Sequence, residues 1–246
     1  MLFLEQVHAH YGSAHVLQGI DLEVETGKIV CLLGRNGAGK STTLKTIMGV
    51  VRPSAGKISF KGQMIHGQPS HVIAARGLAW VPEDRRVFAS LTVEENIRVA
   101  GQATPGPSAN RIAEALSFFP DLEARAEQRA GSLSGGQQQM LTIARALAGN
   151  PDLILMDEPT EGLSPLMVSA IRSGIIKSRD RGASILLVEQ NFALATEVAE
   201  RFFVMSRGRI VYQGTRDDLL AAPEVIKEHL GVGKAKSLAA LQSGGV

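Results

Sequence analysis

The sequence predicts an α/β fold in which a core sheet, parallel in its centre, is interrupted by a helical segment. Short strand-like runs alternate with helix-like segments along the 246 residues. Two of these runs, Ile29–Leu33 and 153–156, are apolar throughout, which is typical of parallel strands covered on both faces. From about residue 87 to 150 the strand pattern disappears and helical periodicity replaces it. This stretch predicts a helical insert.

The elements follow in order from this alternation. Strands are predicted at 2–8, 20–24, 29–33, 57–60, 78–81, 153–156, 184–188, 202–206 and 210–212. In the insert, Thr92 and Glu95 form a capping-box pattern at a helix start, and the Gly- and Pro-rich segment 101–108 predicts an exposed turn. The predicted domains are 1–86, the first part of the core; 87–150, a helical subdomain; 151–230, the second part of the core; and 231–246, a flexible tail.

Composition and charge exclude several classes of function. The net charge is only +2, which gives no support to nucleic-acid binding. Cys31 is the single cysteine, so we expect a small buried hydrophobe in a reducing cytosol and no disulfide. His8 and His10 share a strand face without a suitably spaced third ligand, so they are predicted to be surface or packing residues. No apolar run approaches the roughly 20 residues of a bilayer span, and no signal sequence is seen.

A glycine-rich loop gives the strongest functional signal. Gly34 to Ser41 reads Gly-Arg-Asn-Gly-Ala-Gly-Lys-Ser, which fits the G-x-x-x-x-G-K-[ST] pattern between a strand and a helix. Its backbone N–H groups and the helix N-terminus favour a polyphosphate. Lys40 is then predicted to contact the β- and γ-phosphates, and the Ser41 hydroxyl to ligate Mg²⁺. A structural glycine turn is the alternative, which the flanking strand and helix disfavour.

Two carboxylates follow the apolar strand 153–156, at the edge of the sheet where ligands collect in open α/β folds. Asp157 is suited to holding Mg²⁺ directly or through water, and Glu158 to polarising the water that attacks the γ-phosphate. Taken alone, the pair could also cap a helix. The phosphate loop favours the catalytic interpretation.

A second anion site is predicted where Ser134-Gly-Gly-Gln-Gln138 precedes an amphipathic helix that Asn150-Pro151 ends. Ser134 and Gln137 are expected to cap this helix. Capping does not explain Gly135 and Gly136, since each glycine costs about 1 kcal/mol of helix propensity relative to alanine. We therefore expect a close neighbour at this bare backbone, and the helix N-terminus is a place for an anion.

Together these motifs resemble those of the ATP-binding subunits of ABC transporters. Residues 34–41 look like their Walker A loop, 134–138 like their signature and 153–158 like their Walker B motif, and the resemblance spans about 2–230. It implies an α/β P-loop NTPase core, with a parallel sheet and an antiparallel β subdomain, plus a helical subdomain of the ABC ATPase type. In that family two subunits sandwich ATP head to tail, which would explain two anion sites on one chain.

The resemblance implies a set of site residues and ligands. The ligands are ATP and Mg²⁺, and a strand-ending tyrosine, otherwise a packing residue, would stack on adenine. The nucleotide-binding residues are Tyr11, Gly34, Asn36, Gly37, Ala38, Gly39, Lys40, Ser41 and Thr42; the signature residues, which face the ATP of the partner subunit, are Ser134, Gly135, Gly136 and Gln137; the metal ligands are Ser41, Glu83 and Asp157; and the catalytic residues are Glu158 and Gln190.

Two positions depart from the general ABC pattern. Glu83 replaces the usual Q-loop glutamine, and Gln190 replaces the usual switch histidine. A carboxylate about 4 Å from a phosphate oxygen would cost roughly 4 kcal/mol at an effective dielectric of 20, so Glu83 must face the metal or solvent. Gln190 can hydrogen-bond the γ-phosphate or the attacking water but cannot become cationic. The D-loop, residues 161–165, carries Ser164 where the family more often has an aspartate nearby.

Together with the segments 81–88, 157–165 and 188–191, these departures make the sequence resemble one of the two ATPase subunits of branched-chain amino acid importers and of their urea or amide relatives. The resemblance implies a peripheral subunit at the cytoplasmic face of the bacterial inner membrane. Its implied partners are a second ATPase subunit, identical or paralogous, two transmembrane permease subunits and, indirectly, a periplasmic or lipid-anchored solute-binding protein. The candidate surface for the permease is Arg85, Arg86, Val87 and Phe88, for which a solvated turn is the alternative.

Two other functions are weighed against transport. Soluble ABC-type ATPases of repair or chromosome maintenance need long coiled coils between the Walker motifs, and those of translation generally carry two cassettes in one chain. Neither feature occurs in this sequence. A small-molecule kinase would have no use for the motif at 134–138.

Overall fold

The computed structural model describes residues 1–102 and 108–231. These residues form two compact units, one of Met1–Arg76 with the chain from Ser184 onward, the other of Gly77–Ala183. The predicted turn at 101–108 lies mostly, and the predicted tail at 231–246 almost wholly, outside the described residues. The predicted helical subdomain, 87–150, falls within the second unit, which also contains strands on either side of it. The predicted domain boundaries themselves stay a prediction.

The first unit combines an antiparallel sheet with a mainly parallel one. In the antiparallel sheet the strand order is β2-β1-β4-β5, and in the other sheet β10-β9-β3-β8. β3 pairs in parallel with both β8 and β9. The strands are β1 Leu2–Tyr11, β2 Ala14–Val24, β3 Ile29–Leu33, β4 Pro53–Phe60, β5 Gln63–Met64, β8 Ser184–Glu189, β9 Arg201–Ser206 and β10 Arg209–Thr215. The helices are α1 Lys40–Ile47, α2 Ser70–Ala75, α8 Phe192–Val198, α9 Arg216–Leu220 and α10 Pro223–Val225, followed by a π-helical turn, Ile226–Leu230.

The second unit is mainly helical and contains one parallel strand pair among its described residues. β6, Leu78–Val81, pairs in parallel with β7, Leu153–Asp157. Its helices are α3 Val93–Gln102, α4 Ser108–Ser117, α5 Pro120–Glu123, α6 Gly135–Ala148 and α7 Pro165–Asp180, with a 3₁₀ turn at Ala130–Ser132. Apolar side chains of α3 and α6, among them Val93, Ile97 and Leu141, are buried.

The predicted fold class is confirmed, and the local signals explain its elements. Every residue of β3, β7 and β8 is buried, as expected of strands covered on both faces. The predicted capping box at α3 is present, since Glu95 N–H donates to Thr92 Oγ1 at 3.1 Å and Thr92 N–H donates to Glu95 Oε2 at 2.8 Å. α6 ends just before Asn150, whose φ of +47° cannot continue a helix. In the described part of the chain, no helix is long and apolar enough to cross a membrane.

Candidate functional site

The glycine-rich loop lies between β3 and α1 in the first unit. Gly34 has to be glycine, because a Cβ atom there would lie 2.4 Å from the carbonyl oxygen of Met205. Gly37 and Gly39 adopt φ values of +77° and +112°, which glycine reaches at little cost. The chain therefore curls into the open ring that the motif predicts, with the N-terminus of α1 at its end.

Lys40 is buried, with only 4% of its surface exposed, although it carries a charge. Its Nζ donates to the carbonyl oxygens of Gly34 at 2.9 Å and Arg35 at 3.3 Å. These hydrogen bonds offset the cost of burying the ammonium group and hold it within the ring of the loop. The arrangement places a fixed positive charge beside the backbone N–H groups that favour a phosphate.

Two further predicted residues of the first unit lie near accessible space. Tyr11 stands at the end of β1 with 47% of its surface exposed, so its ring is available for stacking. Gln190 follows β8 and lines a cavity of about 360 Å³ together with Gly34, Arg35, Asn36 and Leu230. The structure thus brings the predicted switch residue and the beginning of the phosphate loop to one cavity.

The outer flank of the loop is basic. Arg35, Arg207 and Arg209 line an open groove of about 810 Å³. Among the described residues that line this groove, Glu228 is the one carboxylate. Positive potential of this kind attracts anions. Arg207 and Arg209 were not predicted as part of the site, and their separation from the loop by more than 160 positions explains why.

The two predicted acids of the second unit, Asp157 and Glu158, lie at the carboxyl end of strand β7. Asp157 is the last residue of β7 and is buried. Glu158 is also buried, at 8% exposure, and has a φ of +45°. A non-glycine residue in this region costs of order 1–3 kcal/mol and is typical of functional sites. A buried carboxylate in a strained backbone favours a chemical role for Glu158 over simple helix capping.

The signature segment confirms the predicted cap of α6. Ser134 N–H donates to Gln137 Oε1 at 3.0 Å, and Gln137 N–H donates to Ser134 Oγ at 3.3 Å. The expected close neighbours of the glycines also exist within the unit. A Cβ atom on Gly136 would lie 2.8 Å from Met167 Cγ, and one on Gly135 would lie 2.3 Å from the guanidinium of Arg85. Packing therefore explains Gly136, while the neighbour of Gly135 is the end of a flexible side chain.

The glycine pair gives a prediction that separates packing from function. We expect Gly136→Ala to lower the free energy of unfolding by about 1–3 kcal/mol, because Met167 of α7 must move. Gly135→Ala, the matched control, should change it by less than about 1 kcal/mol, since Arg85 can swing aside. Denaturant unfolding of both variants measures this difference, and a larger loss for Gly135→Ala would contradict it.

The segment after β6 contacts the same helix. Glu83 is exposed, and Arg85 and Arg86 both have positive φ values, +60° and +38°. Arg86 pairs with Asp84 at 2.8 Å and lies over the ring of Trp80. Phe88 is 48% exposed, and the guanidinium of Arg145 lies over its ring at 5.2 Å from the centroid. Burial lowers the pKa of Arg145.

The D-loop departure has a local explanation. Ser164 is the N-cap of α7, where its Oγ accepts the N–H of Met167 at 3.5 Å, and Pro165 follows at the first helical position. An aspartate would cap the helix in the same way. The serine therefore keeps the structural function of this position while removing a charge.

Two predictions about side chains outside the motifs can be compared with the structure. Cys31 is buried, and this burial, with the nearby Glu189, raises the pKa of its thiol well above the ordinary value while Lys40 lowers it. His8 and His10 were expected to be surface or packing residues without a third metal ligand. They contact His15, since His8 Nδ1 lies 3.0 Å from His15 Nε2 and the His10 ring stacks on His15 at 4.1 Å. Among the described residues, no group of three or more His, Cys, Asp or Glu side chains is arranged to hold a metal ion.

The family profile described as ABC transporter matches residues 17–161, which is more than half of the chain. The chain belongs to the ABC transporter family. Its ATPase subunits hydrolyse ATP and work as dimers with membrane permease partners, so this chain is an ABC ATPase. The predicted family and enzyme class are therefore confirmed.

Three relatives of this ABC ATPase have names that refer to branched-chain amino acid transport or to lipopolysaccharide export. The high-affinity branched-chain amino acid transport ATP-binding protein BraG of Pseudomonas aeruginosa is 43% identical over 94% of this chain and 100% of its own length. The probable branched-chain amino acid transport ATP-binding protein LivF of Archaeoglobus fulgidus is 37% identical over 94% of this chain and 99% of its own. The lipopolysaccharide export system ATP-binding protein LptB of Haemophilus influenzae is 35% identical over 94% and 97%.

Solved structures agree with the fold of the ABC ATPase. One described as an ATP binding subunit of an ABC transporter is 30% identical, covers 99% of both chains and has a TM-score of 0.82. A dimeric ATP-binding cassette in a post-hydrolysis state bound to ADP and Pi is 25% identical, covers 88% of this chain and 99% of its own, and has a TM-score of 0.79.

Proposed function

We propose that this ABC ATPase powers an importer of branched-chain amino acids. The observation that carries the proposal is the match to BraG, which extends over the whole of that relative at 43% identity. LivF, the second relative with this substrate class in its name, matches over nearly the same length. Urea or amide import is an alternative within the same subfamily, suggested by the sequence motifs.

Lipopolysaccharide export is a second candidate function. It is favoured by the LptB relatives, which reach 35% identity over most of the chain. BraG exceeds this identity by 8 percentage points, which is why import is preferred. Since the solute contacts other subunits in such transporters, the choice depends on an experiment with those subunits.

The phosphate loop is proposed to hold the triphosphate of ATP. Support comes from the buried Lys40 ammonium and from the glycines that keep the ring open, with Asn36, Ala38, Ser41 and Thr42 completing the loop and the first turn of α1. Tyr11 is proposed to stack on the adenine ring, for which its exposed position is suitable.

Mg²⁺ is the proposed cofactor, and the oxygen donors of the chain are suited to it. Ser41 offers a hydroxyl, and Asp157 and Glu83 offer carboxylates, which are the ligand types that this ion prefers. When bound, the ion neutralises charge on the β- and γ-phosphates. The exposure of Glu83 supports either metal ligation or contact with solvent.

Hydrolysis is proposed to depend on Glu158 and Gln190. The Glu158 carboxylate accepts a proton from the attacking water, and the Gln190 amide orients that water or the γ-phosphate. Ser134, Gly135, Gly136 and Gln137 are proposed to contact the ATP held by a second cassette, identical or paralogous. The capped N-terminus of α6 supports this assignment, because a helix N-terminus favours an anion.

The proposed site for the permease is the surface formed by Arg85, Arg86, Val87 and Phe88. The exposed ring of Phe88 and the guanidinium groups of Arg86 and of the neighbouring Arg145 suit a short amphipathic helix that carries a carboxylate. We place the subunit at the cytoplasmic face of the inner membrane, bound to two permease subunits, with a solute-binding protein as the indirect partner.

Reconstitution of the complete transporter tests the proposed substrate. The chain is co-purified with its membrane subunits, placed in liposomes and assayed for ATP hydrolysis with the solute-binding protein and leucine, urea or lipopolysaccharide. Leucine is expected to raise the rate about threefold or more, and the other solutes to leave it unchanged. The same complex with Glu158→Gln is the control for contaminating ATPases. Stimulation by lipopolysaccharide alone would replace the import proposal with export.

A further inference from the structure

Strand β8 ends in a buried carboxylate that the site described above does not use. Residues 185–188 are apolar, as a covered strand requires, but Glu189 follows them with only 2% of its surface exposed. Burying a carboxylate is unfavourable unless hydrogen bonds replace its water. The position of Glu189 therefore needs an explanation in terms of what it holds.

Glu189 binds the backbone that follows it. Its Oε2 atom accepts the N–H groups of Gln190 and Asn191, each at 3.0 Å. On the other side of the turn, Asn191 Oδ1 accepts the N–H of Leu194 at 3.1 Å and caps α8. The peptide units on both sides of Gln190 are thus fixed between the end of a buried strand and the start of a helix.

The sheet register connects this turn to the phosphate loop. Leu33 of β3 and Glu189 of β8 are partners in the parallel pairing. Gly34 follows Leu33 as Gln190 follows Glu189, and both lie at the wall of the same cavity of about 360 Å³. The phosphate loop and Gln190 therefore begin at the paired ends of two adjacent strands, β3 and β8.

We propose that Glu189 is a positioning residue for ATP hydrolysis, which fixes the backbone of Gln190 and so holds its amide beside the phosphate loop. The inference rests on the function proposed above for Gln190. Length matters more than charge in this geometry. Glutamine keeps an oxygen acceptor at the same distance from Cα, whereas aspartate keeps the charge but holds its oxygens one methylene closer to Cα, so it cannot keep both hydrogen bonds with the backbone in its present position.

Steady-state ATP hydrolysis by the assembled transporter tests the inference in four variants. Glu189→Asp is expected to lower kcat about tenfold with the KM for ATP unchanged, because misplacement by about 1 Å affects the reacting geometry more than binding. Glu189→Gln should keep kcat within about threefold of the parent. Gln190→Ala should lower kcat, and adding Glu189→Asp to it should cause no further loss.

The outcomes distinguish the inference from its premise. If Gln190→Ala hydrolyses ATP at the parent rate, the proposed function of Gln190 fails. If Gln190→Ala lowers kcat but Glu189→Asp does not, Glu189 does not act through Gln190 and the inference is overturned. The same holds if the reduction of kcat in the double variant equals the product of the reductions in the two single variants. Equal loss in Glu189→Gln and Glu189→Asp would also overturn it, since a side chain of the original length would then not be sufficient and the charge would matter as well.

A measurement on the unmodified chain covers the case in which a variant fails to fold. Amide hydrogen exchange, followed by mass spectrometry, should show protection of Gln190 and Asn191 comparable to that of β8. Rapid exchange of these two amides would overturn the inference.

Discussion

Replacing Glu158 with glutamine is expected to lower ATP turnover by about two to three orders of magnitude while ATP binding remains intact. The substitution preserves the size of the side chain and its buried place after β7, but an amide cannot accept the proton of the attacking water. Dimers with bound ATP should therefore accumulate. Turnover is measured by phosphate release, and the dimer by size-exclusion chromatography with ATP.

The matched control for this prediction is Glu123→Gln, the same chemical change at an exposed acid of α5 in the same unit. It should leave turnover within about twofold of the parent. If Glu158→Gln retained turnover within a few-fold, Glu158 would not be the general base, and its strained backbone would need another explanation.

Replacing Lys40 with alanine is expected to weaken ATP binding by about one to two orders of magnitude, as for a lost charge-assisted hydrogen bond. The ammonium also holds two carbonyl oxygens of the loop, at Gly34 and Arg35, so its loss loosens the ring itself. Binding is measured with a fluorescent ATP analogue under conditions without turnover, which separates this effect from that of Glu158→Gln.

Lys45→Ala serves as the control for Lys40, since it removes the same charge from the last turn of the same helix. Its Kd for the analogue should stay within about twofold of the parent. An unchanged Kd in Lys40→Ala would contradict the proposed contact with the phosphates.

The sequence was sufficient to predict the elements whose determinants are local. Apolar runs located β3, β7 and β8, and the capping boxes located the starts of α3 and α6. The motif between β3 and α1 identified the residues of the phosphate loop because their spacing is contiguous. The short strand β5 was missed, since two residues carry no periodic signal.

Contacts between distant parts of the chain could not be predicted from spacing. His15 was not recognised as the partner of His8 and His10, because the pairing depends on the hairpin register of β1 and β2. Arg85, which lies against Gly135, depends on tertiary packing in the same way. For Glu189 a signal was present, namely an acid that ends an otherwise apolar strand, but only the structure shows which N–H groups it accepts.

Two glycines of the phosphate loop differ in their tolerance to mutation. At Gly37 a Cβ atom would meet no atom within 4 Å beyond its chain neighbours, so the constraint is the backbone angle, and asparagine or aspartate is the residue type that meets it best. At Gly34 the constraint is a carbonyl oxygen of Met205, which excludes every side chain, alanine included. Among the active members of a saturation library, we therefore expect as few residue types at Gly34 as at a chemically essential residue.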